Sequence, residues 1–212
     1  ICDEQEAVVL CARELRSTVQ GRNKKLAKLT TLQSCCKRGS RRYKKLQRAK
    51  NRLKGATARK VRDISHKVSR AVVDFALERQ TGTIVIGDNR ALADGINIGK
   101  QSNQKLSQWA HGKLRQYITY KAAMVGIGIA LQDEHYTSQT CPCCGTRHKP
   151  KGRTYRCSTC DWVGSRDGQV GAPNILSAYL YAELARVQVD SIKYRHPFIT
   201  GKRSHSDTVQ VA

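Results

Sequence analysis

The chain has 212 residues, 39% of them hydrophobic, enough for one medium domain with a small appendage. No apolar run is long enough to span a membrane and no signal peptide opens the sequence, so neither membrane insertion nor secretion is expected. Lys and Arg number 39 against 16 Asp and Glu, a formal net charge of +23. Such an excess repels itself unless a polyanion shares it, which makes nucleic acid the expected partner. An anionic membrane is the rival, but no amphipathic helix with a strong aromatic face supports it.

In chain order, Ala7 to Cys11 reads as a short β run after the turn-like Asp3-Glu4-Gln5. From Arg16 to Arg70 there are 20 Lys and Arg against a single acid, Asp63, so this stretch alone carries +19. Apolar residues recur in it at helical spacing: Leu26, Leu29 and Leu32; Leu46 and Leu53; then Val61, Ile64, Val68, Val72 and Phe75. A disordered basic tail would lack these stripes. They predict a helical hairpin turning near Lys37-Arg38-Gly39-Ser40, then a third helix from about Thr57 to Glu78. One face packs and the other presents cations. The candidate nucleic-acid contacts are Arg22, Lys24, Lys25, Lys37, Arg38, Arg41, Arg42, Lys44, Lys45, Arg48, Lys50, Arg52 and Lys54. Each phosphate neutralised on B-DNA adds about 0.9 to the salt slope of binding.

Thr83 to Ile86 is β-branched and apolar, as suits a buried parallel strand. Leu106 to Met124 reads as a helix stopped by Gly126, Ile127 to Leu131 as the next strand, and Ala172 to Val189 as a final helix. The alternation of strand and helix predicts an α/β layer with parallel strands. The tail after Asp190 shows no periodicity and is expected to be disordered.

Four of the nine cysteines stand as two Cys-x2-Cys pairs, Cys141 with Cys144 and Cys157 with Cys160, twelve residues apart. Two such knuckles suit one tetrahedral zinc ion held by four thiolates. Cys143 lies inside the first knuckle and could compete; the paired geometry favours Cys141 and Cys144. Cys2, Cys11, Cys35 and Cys36 have no partner spacing. A zinc ribbon by itself occurs in transcription factors, ribosomal proteins and nucleases, so its flanks must discriminate. Asp133-Glu134-His135 precedes it at a strand end, and Ser165-Arg166-Asp167 follows it before a helix.

The runs YTSQTCPCCG, YRCSTCDW and RDGQVGAPNIL resemble the C-terminal half of the TnpB (OrfB) proteins of insertion sequences, with type V CRISPR effectors as distant relatives. TIVIGDN resembles the family's central strand, Trp109 to Lys121 the helix after it, and the basic stretch the segment before it. The resemblance implies an RNase H-like (RuvC) α/β core with a basic helical insertion and a small inserted zinc ribbon. In these terms 1–135 is a partial RuvC-like domain containing the basic segment 16–80, 136–164 the ribbon, 165–190 the final RuvC helix, and 191–212 the tail. It further implies an RNA-guided, metal-dependent DNA endonuclease with DNA and guide RNA as partners, cytoplasmic and nucleoid-associated in a bacterium. Its site would gather three carboxylates around magnesium, a cation that prefers hard oxygen ligands. Asp167 takes the family's last carboxylate position, although the interval to Asn174 is one residue longer than the commonest form. Gly87 stands where the family usually has its middle glutamate, which leaves Glu134 and Asp88 as candidates. The first carboxylate has no counterpart, because Asp3, Glu4 and Glu6 fall in a turn. The core is therefore expected to lack its first strand, and the chain alone to bind nucleic acid without cutting it. The alternative is a non-catalytic zinc-ribbon nucleic-acid-binding protein.

Overall fold

The computed structural model describes residues 1–11, 13–88, 99, 103 and 111–195. Elements run β1 (Glu6–Leu10), α1 (Arg13–Ser34), α2 (Arg41–Glu78), β2 (Thr83–Asp88), α3 (His111–Ala123), β3 (Gly128–Asp133), β4 (Thr154–Arg156) and β5 (Val163–Ser165). A π-helical turn (Arg166–Gly171) then leads into α4 (Ala172–Tyr181), and β6 (Ser191–Arg195) follows. Of the helix expected from Leu106, the first residues, Trp109 included, lie outside the described residues.

The hairpin turns where expected. Gly39 adopts φ +83°, and the Ser40 hydroxyl caps α2 by accepting from the Tyr43 N–H at 3.2 Å. The separate third helix does not exist: α2 is one helix of 38 residues. No proline interrupts it, and Leu46, Leu53, Thr57, Val61, Ile64, Val68, Val72 and Phe75 form one unbroken stripe in steps of seven, four and three. Thr57 joins the stripes that read as separate in the sequence, and the one Gly between them costs only about 1 kcal/mol against that packing. Near the turn, Gln33 is buried between the helices. Its amide donates to the Tyr43 carbonyl at 3.3 Å and to Gln47 Oε1 at 3.0 Å, while its oxygen accepts from Lys50 Nζ at 3.0 Å.

β2 and β3 pair in parallel, Thr83 opposite Gly128 through Asp88 opposite Asp133. Val73 and Ala76 of α2, Ala122 of α3 and Ile127 form the core against them, joined by Ile84 and Ile129. β1 does not extend this sheet. It pairs in parallel with β6, Glu6 opposite Ser191 through Leu10 opposite Arg195. Residues 191–195, expected to be structureless, are thus a strand. Ile192 joins Ala7, Val187 and Val189 in a second core, a contact too short and too distant in sequence to show as periodicity. The rest of the tail lies outside the described residues. Arg79, just past α2, ties the layers together: it pairs with Asp3 at 2.7 Å and with Glu6, which also binds Lys193 of β6. The final helix stops at Tyr181, eight residues before the expected Val189. Ala182 there turns left-handed at φ +56°. Among the described residues no helix is long and apolar enough to cross a membrane.

Because α2 is continuous through Gly55, and a Cβ there would meet only Arg59 at 3.7 Å, Gly55→Ala should stabilise the protein by about 0.5–1 kcal/mol. Denaturant titration reads this as a higher midpoint; a helix boundary at Thr57 would give no gain.

Candidate functional site

The ribbon gathers the four predicted sulfurs. Cys141 and Cys160 lie 3.7 Å apart, Cys144 and Cys157 3.5 Å apart, and all four sulfurs fall within 4.8 Å of one another. Tetrahedral zinc at about 2.3 Å from each sulfur would set them roughly 3.8 Å apart. The distances far exceed a disulfide bond, and the set suits zinc. Local backbone makes the knuckles. The Cys141 N–H donates to the Thr146 carbonyl at 3.0 Å, Gly145 turns at φ +72°, and the Cys157 N–H donates to the Trp162 carbonyl at 2.9 Å. Hydrogen bonding from Thr146 holds the Cys144 thiol down to about 6, and the Cys160 and Thr159 N–H groups lower that of Cys157, whereas burial pushes Cys141 up and burial with the neighbouring thiols pushes Cys160 up, so two of the four favour the thiolate before a metal arrives. Cys143 is exposed and takes no part in the cluster.

Under the knuckles, Tyr155 is fully buried with Cys141, Cys157 and Val170, and Trp162 packs on them. The Tyr155 hydroxyl donates to the Gln139 carbonyl at 3.1 Å. Val170 belongs to the π turn, so the metal knuckles and the segment carrying Asp167 share one core. The turn carries the i→i−5 bond from the Ala172 N–H to the Asp167 carbonyl. Ile192 of β6 sits where a side chain at Gly168 would be: a Cβ there would lie 2.4 Å from its Cδ1.

At the carboxyl ends of β2 and β3 the structure brings Asp88 and Glu134 together. A Cβ built on Gly87 would lie 1.9 Å from Glu134 Oε1 and 2.6 Å from its Cδ. The Glu134 carboxylate therefore fills the side-chain space that Gly87 leaves open. Burial pushes its pKa up, and the Asp88 and Asp133 charges push it further. Arg115 of α3 approaches Asp88 at 3.7 Å. Asp167 is exposed at the start of the π turn and accepts from Arg166 Nε at 2.9 Å. Among the described residues the four cysteines are the one group of three or more ligands placed to hold a metal ion, so Asp167 is not gathered with the other two acids.

Asn174 is what the sequence reading missed. Its buried amide donates to the Thr137 and Thr140 carbonyls, each at 2.8 Å, and its oxygen accepts from the Ala185 N–H at 2.8 Å. The signal was there: an Asn in the first turn of an apolar helix needs buried partners.

Of the thirteen candidate nucleic-acid contacts, eleven are exposed along α1, the turn and α2; Lys50 is committed to Gln33, and Arg22 donates to Asn23 Oδ1 at 3.0 Å. The ion pairs within α2, Lys67 with Asp63 and Arg70 with Asp74, both lie in its second half.

Fold and site together define an α/β protein carrying an inserted four-cysteine ribbon, with acids at the ends of its parallel strands. Residues 111–175 match the Cas12f1-like TNB domain family. The chain is 31% identical over 125 residues to a TnpB-like protein of Methanocaldococcus jannaschii, covering 58% of this chain and 45% of the relative. It is 30% identical over 118 residues to the CRISPR-associated endodeoxyribonuclease Cas12f1 of Sulfoacidibacillus thermotolerans, covering 52% of this chain and 26% of that one. It shares its fold with a protein solved in a CRISPR-Cas12f ternary complex, with a TM-score of 0.58 at 17% identity, over 73% of this chain and 31% of that one. Over these spans the chain is similar to TnpB-like proteins and to the Cas12f effectors. It spans less than half the length of these curated relatives.

Asn174→Leu keeps the volume but strands two carbonyls and one N–H. It should cost about 3 kcal/mol or more of stability, read as a lowered denaturant midpoint.

Proposed function

We propose that this chain forms the nuclease portion of an RNA-guided, metal-dependent DNA endonuclease of the TnpB type, with an RNase H-like (RuvC) core. One observation carries the reading: the Glu134 carboxylate occupies the space of a side chain at Gly87, beside Asp88. β3 thereby supplies the acid that the family's central strand usually bears. Two carboxylates this close repel each other, and a divalent cation between them relieves that repulsion. Glu134 and Asp88 would hold Mg2+ there, with Asp167 as the further ligand from the π turn. When bound, Mg2+ supplies Lewis acidity for phosphodiester hydrolysis. The chain's own groups do the rest: β2 and β3 fix the two carboxylates, and the exposed cations of α1 and α2 hold the phosphates of target DNA and guide RNA. The four thiolates hold a structural zinc, closed to substrate because all four positions are taken by protein. The second reading, a non-catalytic zinc-ribbon nucleic-acid-binding protein, is favoured by the separation of Asp167 from the other two acids.

Cleavage of target duplex with guide RNA and Mg2+ decides between them. Glu134→Gln and Asp167→Ala should each reduce cutting by at least about 100-fold, as loss of an essential metal ligand does, while nucleic-acid binding persists. The exchange Gly87→Glu with Glu134→Gly should restore part of what Glu134→Gln loses. Undiminished cutting by Asp167→Ala sinks its assignment as a ligand.

Metal analysis should find one zinc per chain. Cys144→Ser should lose it and Cys143→Ser keep it. Chelation should expose Trp162 and shift its fluorescence to the red.

A further inference from the structure

Tyr136 lies two residues beyond Glu134 and is used by neither the core nor the thiol cluster. The residue is 48% exposed. Its backbone holds the left-handed φ of +61°, a conformation uncommon for a large side chain. Three bonds to its carbonyl fix that strain in place, from the N–H groups of Gln139 and Thr140 and from the Thr140 hydroxyl, at 2.9, 3.0 and 3.0 Å. One side of the ring carries the Arg147 guanidinium, 4.3 Å from its centre. The His135 ring meets it edge-on at 5.9 Å. Arg147 begins the ribbon hairpin, in which Lys149, Lys151, Arg153 and Arg156 are also exposed, and no acid occurs between Glu134 and Asp161.

We infer that Tyr136 and Arg147 form a clamp for one unpaired nucleotide of single-stranded DNA beside Glu134. The ring stacks on the base and the guanidinium binds the flanking phosphate. An aromatic face with an acid-free row of cations is the pairing that recognises single strands, because every unpaired base offers a π-face and every linkage a negative charge. A duplex buries its base faces and can use only the cations. The clamp gives the ribbon a role beyond rigidity: it sets the strand's position along the carboxylate edge. This inference rests on the nuclease reading for its purpose, but it concerns binding and is tested without cleavage.

The test is fluorescence anisotropy with labelled oligothymidylate and with a duplex of equal length, at elevated salt so that the general phosphate attraction is suppressed. Tyr136→Ala and Tyr136→Leu should each weaken single-strand binding about tenfold, within the range of one lost stack, and change duplex binding less than twofold. Tyr136→Trp should retain it. Photocrosslinking with 5-iodouracil in the single strand should label Tyr136. Zinc content of each variant shows whether the ribbon is intact. Equal losses on single strand and duplex, or no loss in a variant that keeps its zinc, would overturn the clamp. A stronger effect on single-stranded RNA than on DNA would overturn the choice of strand. If the clamp holds while Glu134→Gln leaves cleavage intact, the carboxylate assignment fails and the clamp stands.

Discussion

The side-chain amide of Asn174 has no contact with solvent, and each of its polar atoms is spoken for. Its donors hold the carbonyls of Thr137 and Thr140, three residues past Glu134 and one residue before Cys141. Its acceptor holds the Ala185 N–H, on the segment that leads to β6. Two stretches of chain, 137–140 and the segment at Ala185, are thus fixed to the first turn of α4 by one side chain. An unmade bond at any of these buried groups would cost the desolvation of that group, about 1–3 kcal/mol, so the arrangement is held as a set. The end of β3, the entry to the ribbon and the return toward β1 all take their positions from it.

The π turn just before α4 completes that set. A π turn takes in more residues than an α turn, and this one lies inside the interval from Asp167 to Asn174. Asn174 meets its partners directly after it. Val170 faces the ribbon core, while Gly168 gives way to Ile192 of β6. The turn is therefore gripped from two sides, by the ribbon and by the β1–β6 pair. Asp167, at its exposed start, moves only if one of those contacts moves.

What was legible in the sequence follows from which signals are local. The four cysteines declare themselves by spacing, and β1, β2 and β3 by runs of branched apolar residues. The hairpin turn is marked by Gly39 and Ser40. The division of α2 at Thr57 came from taking Leu46–Leu53 and Val61–Phe75 as separate stripes; Thr57 joins them and the stripe runs through. β6 and the partners of Asn174 rest on contacts between segments tens of residues apart, which no window along the chain can show. Gly87 was a clue of a different kind. An absent side chain in a strand end implies that something else uses the space; the sequence left Glu134 and Asp88 as candidates, and the fold shows the Glu134 carboxylate filling it.

The charges divide the molecule in the same way as the contacts do. The first half of α2 and all of α1 beyond Glu14 hold no acid, and the ion pairs of α2 are exposed pairs one turn apart in its second half. Such pairs contribute little, ~0.5 kcal/mol each, so the hairpin's cations remain available to an outside polyanion. At the other end, Glu134 is half-buried beside Asp88 and Asp133, and its pKa is raised first by burial and then by those two charges. Arg115 near Asp88 and His135 against Asp133 offset part of this charge, yet acids held together still cost stability. The proposed function accounts for both ends of the molecule: a divalent cation would relieve the carboxylate edge, and the phosphates of a nucleic acid would share the charge of the hairpin.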